Sequence, residues 1–282
     1  MKIFKKVAEM QAWSESIKKS GKKICLVPTM GYFHKGHLSL MEKGRELCSV
    51  LVVSLFVNPA QFGENEDLDA YPSDIEKDIT LARDLGVSAI FLPDGNEIYP
   101  NGYQTYVELS NLPHHMCGLS RPVHFRGVAT VVTKLFNIVK PDVAVFGLKD
   151  FQQFQVIRRM TADLHYNIEI IGGPIVREDD GLAMSSRNAY LLPEHRDAAL
   201  TLSNSLKMAK EMIAKGSSAD AVRKKIKEYI ESFPYTSIDY ISLCDPETLE
   251  DVTSLKGDLL VALAVKVGKT RLIDNMIIDP AE

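Results

Sequence analysis

Five short runs of β-branched and other apolar residues, at 24–28, 50–57, 88–92, 142–146 and 168–171, are separated by segments of helical periodicity. A continuous apolar run of this length fits a strand buried on both faces, and strands that alternate with helices must be joined by crossovers. The pattern therefore predicts an α/β fold with a doubly wound, Rossmann-like parallel sheet, whose ligands sit at the carboxyl ends of the strands. The helical segments are expected at 36–48, 72–85, 127–139 and 150–164. In the second of these Pro72 is read as the first helical residue, Ile75, Ile79, Ala82 and Leu85 share a face, and Gly86 is the stop.

Beyond about Pro174 the rhythm changes. Helical stretches at 193–215 and 219–232 precede strand-like segments at 238–243, 259–267 and 271–278, which reads as a smaller α+β domain. The expected division is 1–175 and 176–282, with the second domain acting as a lid. A chain of 282 residues with 45% hydrophobic and 25% charged content can fill such cores. Its net charge of -4 offers no broad positive field, which argues against nucleic acid or a membrane surface as partner and favours a small substrate. No apolar run is long enough to span a bilayer, and the amino terminus lacks a signal-peptide pattern, so a cytoplasmic protein is expected. Cys25, Cys48, Cys117 and Cys244 form no CxxC pair and read as buried thiols.

Four constellations follow strand ends or turns. The first is Met30, Gly31, Tyr32, Phe33, His34, Lys35, Gly36 and His37, directly after the first predicted strand. A helix starting here offers unpaired backbone N–H groups and a positive dipole end to an anion, and Gly36 lets a phosphate come close. Two imidazoles three residues apart can donate to phosphate oxygens as they gain charge. The alternatives are a helix cap with one solvated imidazole, or a zinc pair, for which no third ligand stands nearby. The second constellation is Gly147, Leu148, Lys149 and Asp150. Lys149 offers a point charge for phosphate, and Asp150 an acceptor for ribose hydroxyls or an ordinary helix cap. The third is Met184, Ser185, Ser186 and Arg187, a phosphate clamp or a solvated polar loop. The fourth is Gln61, with Gln153 as its counterpart, each carrying a donor and an acceptor suited to a hydroxylated acid or to a plain loop hydrogen bond.

Taken in order, PTMGYFHKGH, FVNPAQFG, RPVHFRGV, FGLKDFQQ and REDDGLAMSSRN make the chain resemble the pantothenate synthetases, the pantoate–β-alanine ligase family of coenzyme A biosynthesis within the HxGH nucleotidyltransferases. The resemblance covers the chain to about Leu192. It implies that pantoate attacks the α-phosphate of magnesium ATP, and that β-alanine then displaces AMP from pantoyl adenylate. It also implies that residues 30–37 hold ATP, with His37 as proton donor and His34 on the phosphates, and that Lys149, Ser185, Ser186 and Arg187 complete the clamp. Gly147 to Asp150 would line the nucleoside, backbone groups of Val176 and Met184 the adenine, and Gln61 and Gln153 the pantoate, with Gln61 also facing β-alanine. Asp78 lies where a family acid can approach magnesium; the protein ligands of the metal stay unassigned. A homodimer is implied. The chain departs from the family pattern at Phe33, where leucine is usual, and at Val123, where glycine is usual in the loop carrying Arg121 and His124. Other readings are a different HxGH nucleotidyltransferase, an aminoacyl-tRNA synthetase, disfavoured by the short acidic chain, and a nucleotide sensor without catalysis.

Overall fold

The computed structural model describes residues 1–64 and 66–279. The chain divides into two compact units, one of Met1–Pro113, Arg121–Leu148 and Gln153–Pro174, the other of His114–Ser120, Lys149–Gln152 and Ile175–Glu282. The second therefore draws two short segments from within the span of the first.

The first unit holds six parallel strands, β1 (Lys2–Phe4), β2 (Ile24–Thr29), β3 (Val50–Leu55), β4 (Ala89–Phe91), β5 (Val143–Gly147) and β6 (Glu169–Gly173), in the order β1-β4-β3-β2-β5-β6. The five expected strands are β2 to β6. The sixth, β1, went unread because its three residues are mostly exposed at the sheet edge, so no buried run marks them. Every residue of β3 and β4 is buried, which is why their sequences are apolar without alternation. The helices are α1 (Val7–Lys19), α2 (Lys35–Leu47), α3 (Ile75–Asp84), α4 (Gly95–Ile98), α5 (Cys117–Ser120), α6 (His124–Val139) and α7 (Phe151–Asp163), with α5 and the first residues of α7 falling in the second unit.

One expectation is corrected at α3. The helix begins at Ile75, because the Asp74 carboxylate accepts from Lys77 N–H at 3.2 Å and caps the first turn; Pro72 lies ahead of it. The strand order reverses between β3 and β5, which flank β2. A doubly wound sheet opens a crevice at that switch, where successive loops leave in opposite directions. The segments that begin at Met30 and at Leu148 follow the carboxyl ends of β2 and β5.

In the second unit, α8 (Arg196–Ala214) and α9 (Ala219–Glu231) pack on an antiparallel sheet of β7 (Thr236–Cys244), β8 (Leu259–Val267) and β9 (Thr270–Ile278), ordered β7-β8-β9. A short 3-10 turn, Pro193–His195, precedes α8 where one longer helix was expected. Leu202, Leu206, Val222, Ile226, Leu263 and Val265 form its core, each contributing about 1.5–3 kcal/mol by full burial. All four cysteines are free and buried, and burial pushes the Cys25 thiol up to about 12. No helix among the described residues is long and apolar enough to cross a membrane.

Candidate active site

The turn after β2 is built on two unusual backbone conformations. Gly31 has φ +89° and Tyr32 φ 54°, both in the left-handed region. The φ of Gly31 calls for glycine, and a Cβ there would also crowd the side chains of Leu55, at 2.9 Å from Cδ2, and Asp78, at 3.0 Å from Oδ2. Asp78, buried in the first turn of α3, accepts from Tyr32 N–H and Phe33 N–H at 2.7 Å each. Burial pushes its carboxyl up from the ordinary aspartate value, against the opposing pull of those two N–H groups. The acid therefore fixes the turn from beneath.

Asp78→Asn would keep one acceptor and set an amide N–H against a buried backbone N–H. The expected loss is about 1–3 kcal/mol of stability. Urea unfolding checks this; an unchanged midpoint would remove Asp78 from this role.

His34 is the N-cap of α2. Its Nδ1 accepts from Gly36 N–H at 3.1 Å, while His37 Nδ1 accepts from His34 N–H at 3.4 Å, a reciprocal capping box made by two imidazoles. An Nδ1 that accepts leaves the ring proton of the neutral form on Nε2, so both rings carry Nε2–H donors. Capping the helix and donating to an anion are thus compatible tasks, carried by opposite edges of the same ring. The two ring centroids lie 4.1 Å apart at the positive end of the helix. Phe33 is buried in the apolar core that also holds Leu55 and packs on the His37 ring at 5.6 Å, an apolar contact where the family usually has leucine.

Gln61 is held from several directions. Its Oε1 accepts from Asn58 Nδ2 at 3.0 Å, and its Nε2 lies 3.1 Å from Met30 Sδ. Asn58 is itself oriented by Tyr99 Oη, which donates to Asn58 Oδ1 at 2.8 Å, and by its own donation to Gly127 O at 3.1 Å. With Oε1 engaged by Asn58 and one Nε2 hydrogen directed at Met30 Sδ, the second Nε2 hydrogen is what Gln61 can donate elsewhere. The Gln61 carbonyl accepts from His124 Nδ1 at 2.9 Å, and Arg121 Nη1 lies 3.3 Å from His124 Nε2. A carbonyl cannot donate and a guanidinium cannot accept, so the neutral His124 ring carries its proton on Nδ1. Arg121 in turn pairs with Glu66, through Nε to Oε1 at 2.8 Å and through Nη2 to Oε2. Burial pushes the Glu66 carboxyl up, but the guanidinium outweighs it and holds the group below its ordinary value. Val123 has φ -90° and ψ -14°, an ordinary right-handed conformation, so this loop has no need of glycine there.

The α6 residue Gly127 packs directly on the Gln61 turn. A Cβ there would come 2.2 Å from Ala60 O and 2.6 Å from Gln61 Cα. Asn58, Gly127 and the Asp78 clamp all escaped the sequence reading. Asp78 did leave a signal, an acid on the apolar stripe of α3 three residues after Ile75 and four before Ala82. The half-buried Gln153 lies on α7 in the first unit.

Gly147 ends β5 and Leu148 follows it in the first unit, while Lys149, Asp150, Val176 and Met184 to Arg187 fall in the second. Lys149 is largely buried, with its Nζ 3.8 Å from the exposed carboxylate of Asp150. Met184 N–H donates to Val176 O at 2.9 Å, closing a hairpin whose outgoing limb reaches Ser185, Ser186 and Arg187. Ser185 Oγ caps the next 3-10 turn by accepting from Arg187 N–H at 3.2 Å, and Ser186 is buried. Among the described residues no group of three or more His, Cys, Asp or Glu is arranged to hold a metal ion.

The family described as pantoate-beta-alanine ligase matches residues 2–277. The pantothenate synthetase of Desulfatibacillum aliphaticivorans is 60% identical over 99% of this chain and 100% of its own. That of Desulforapulum autotrophicum is also 60% identical, with full coverage of both. The crystal structure of the Thermus thermophilus enzyme superposes with a TM-score of 0.93 at 41% identity, covering 98% of this chain and 99% of that one. The Francisella tularensis ligase, solved with a β,γ-ATP compound and β-alanine, gives 0.82 at 32% identity over 98% and 97%. A match along nearly the whole chain, at this identity and on the same two sheets, has one consequence: the chain belongs to the pantoate–β-alanine ligase family.

Proposed function

We propose that this chain joins pantoate to β-alanine through pantoyl adenylate, consuming ATP and releasing AMP and pyrophosphate. The observation that carries the reading is the paired-imidazole cap on α2, in which both Nδ1 atoms accept from backbone N–H and the neutral rings keep Nε2–H, at a helix amino terminus beside the switch point of the sheet. An ionised carboxylate is a poor acceptor for an amine because its oxygen is a bad leaving group, and adenylation replaces that oxygen with AMP.

In the first step a pantoate carboxylate oxygen bonds to the α-phosphorus and the bond to the β-phosphate oxygen breaks. Negative charge grows on the phosphoryl oxygens and on the departing pyrophosphate. His37 and His34 donate to that charge, with the helix dipole behind them. Lys149, Ser185, Ser186 and Arg187 hold the phosphates, Asp150 the ribose, and the backbone of Val176 and Met184 the adenine. Magnesium would come with ATP as part of the substrate, supplying positive charge to the phosphates, and no side chain is assigned to it. In the second step the deprotonated amine of β-alanine attacks the acyl carbon and AMP leaves with the carbon–oxygen bond pair. Gln61 Nε2–H and Gln153 orient the pantoyl group throughout. The enzyme is assigned to the cytoplasm, acting as a homodimer.

A product assay with each component omitted in turn tests the scheme. AMP and pyrophosphate should form in amounts equal to the amide, and only with both acids present at full turnover. Formation of ADP and phosphate would replace the adenylate by an acyl phosphate.

A further inference from the structure

Strand β9 carries two adjacent polar side chains, Asp274 and Asn275, both buried and neither used in the scheme above. Successive residues of a strand point to opposite faces, so a neighbouring pair can serve two separate loops. Asp274 lies on the face shared by Leu272 and Ile278. It takes the Arg177 guanidinium in two-pronged fashion, Nη1 to Oδ2 at 2.6 Å and Nη2 to Oδ1 at 3.0 Å. Arg177 Nη1 also donates to Gly181 O at 3.1 Å, and Arg177 bridges to Ala183, so this ion pair anchors the hairpin that delivers Met184 to Arg187. On the opposite face Asn275 Nδ2 donates to the Lys149 carbonyl at 2.8 Å, while Asn275 N–H donates to Asp274 Oδ1 at 2.8 Å.

We infer that Asp274 and Asn275 are positioning residues of the adenylation step, tying the Lys149 loop and the Ser185–Arg187 turn to one strand so that both phosphate-holding groups keep a fixed register. The inference rests on the assignment of Lys149 and Arg187 to the triphosphate. A bidentate guanidinium–carboxylate pair fixes angle as well as distance, and a side-chain amide on a loop carbonyl fixes where that loop's side chain emerges. Pyrophosphate has left before β-alanine attacks, so groups that act only through its oxygens influence the first half-reaction and not the second.

The test is a set of single-turnover measurements on the full-length enzyme, following adenylate formation and, separately, aminolysis of adenylate already formed. Asn275→Asp keeps size and removes the donor; Asn275→Ala stands in if the first variant fails to fold. The expected result is adenylation slowed about ten- to a hundredfold with aminolysis within about twofold of the parent. Because Asn275 acts through Lys149, Asn275→Asp should add less than about twofold in a Lys149→Ala background. Asp274→Asn should behave in the same way relative to Arg187→Ala. Equal slowing of both half-reactions, or the same factor with and without Lys149, would overturn the inference and leave β9 a purely structural strand. If Lys149→Ala itself adenylates at the parental rate, the assignment of Lys149 fails first and the inference falls with it.

Discussion

His37→Ala is expected to slow pantoyl adenylate formation about a hundred- to a thousandfold, the range for removing one preorganised donor from a developing anion. In the proposed scheme the ring has two jobs at once, and the variant loses both. Its Nδ1 accepts from His34 N–H, which leaves the ring proton of the neutral form on Nε2, the edge that donates in the proposed scheme. Loss of the cap contact alone should cost about 0.5–2 kcal/mol, which a folded enzyme of this size tolerates. His37→Asn separates the two jobs, because its short amide can still accept from the His34 N–H but cannot reach as far as Nε2. It should recover part of the lost stability and little of the lost rate. Rapid-quench adenylation and urea midpoints measured on both variants decide the matter. A folded His37→Ala enzyme with near-parental adenylation would strip His37 of its role.

Gly127→Ala is the second large effect, and it acts through packing. The added methyl would sit 2.2 Å from Ala60 O and 2.4 Å from Ala60 C, both backbone atoms, so no rotamer change can relieve the contact. Overpacking of this kind costs about 1–3 kcal/mol, and the turn bearing Gln61 must move to accommodate it. Asn58 bridges Gly127 O and Gln61 Oε1, so the same displacement breaks the bonds that orient the Gln61 amide. A shift near one ångström at a substrate-holding group can cost about a hundredfold in rate. The expected result is a lowered urea midpoint and kcat/KM for pantoate reduced by up to about two orders of magnitude. Parental values of both would mean that α6 and the Gln61 turn are less closely packed than this geometry requires.

These two residues also mark what a sequence can disclose. The paired histidines were legible because their meaning is local: they follow a buried apolar strand, precede an apolar helical pattern and sit three apart, so the cap, the dipole and the donors are fixed within one turn. Strands β2 to β5 were legible for a similar reason, since burial on both faces writes a continuous run. Gly127 carries no such mark. Its requirement comes from a carbonyl at residue 60, brought against it by tertiary packing, and the RGV sequence looks like any helix start. The Asp78 clamp depends on two N–H groups more than forty residues away in the chain. At α3 the sequence misled through a true local rule applied at the wrong place: proline does favour a first helical turn, but Asp74 supplies a side-chain cap and so fixes the start after it. Val123 raised the opposite concern, a lost glycine, and its ordinary right-handed backbone removes it.

The site as described asks one thing of the reaction above all: that the acid's oxygen bond to the innermost phosphorus of ATP. Pantoate labelled with oxygen-18 in its carboxylate follows that atom directly. The account predicts one labelled oxygen in the phosphate of AMP and none in pyrophosphate, since the amine attacks carbon and the bridging oxygen leaves with AMP. Label appearing in inorganic phosphate, or AMP released without it, would contradict the account.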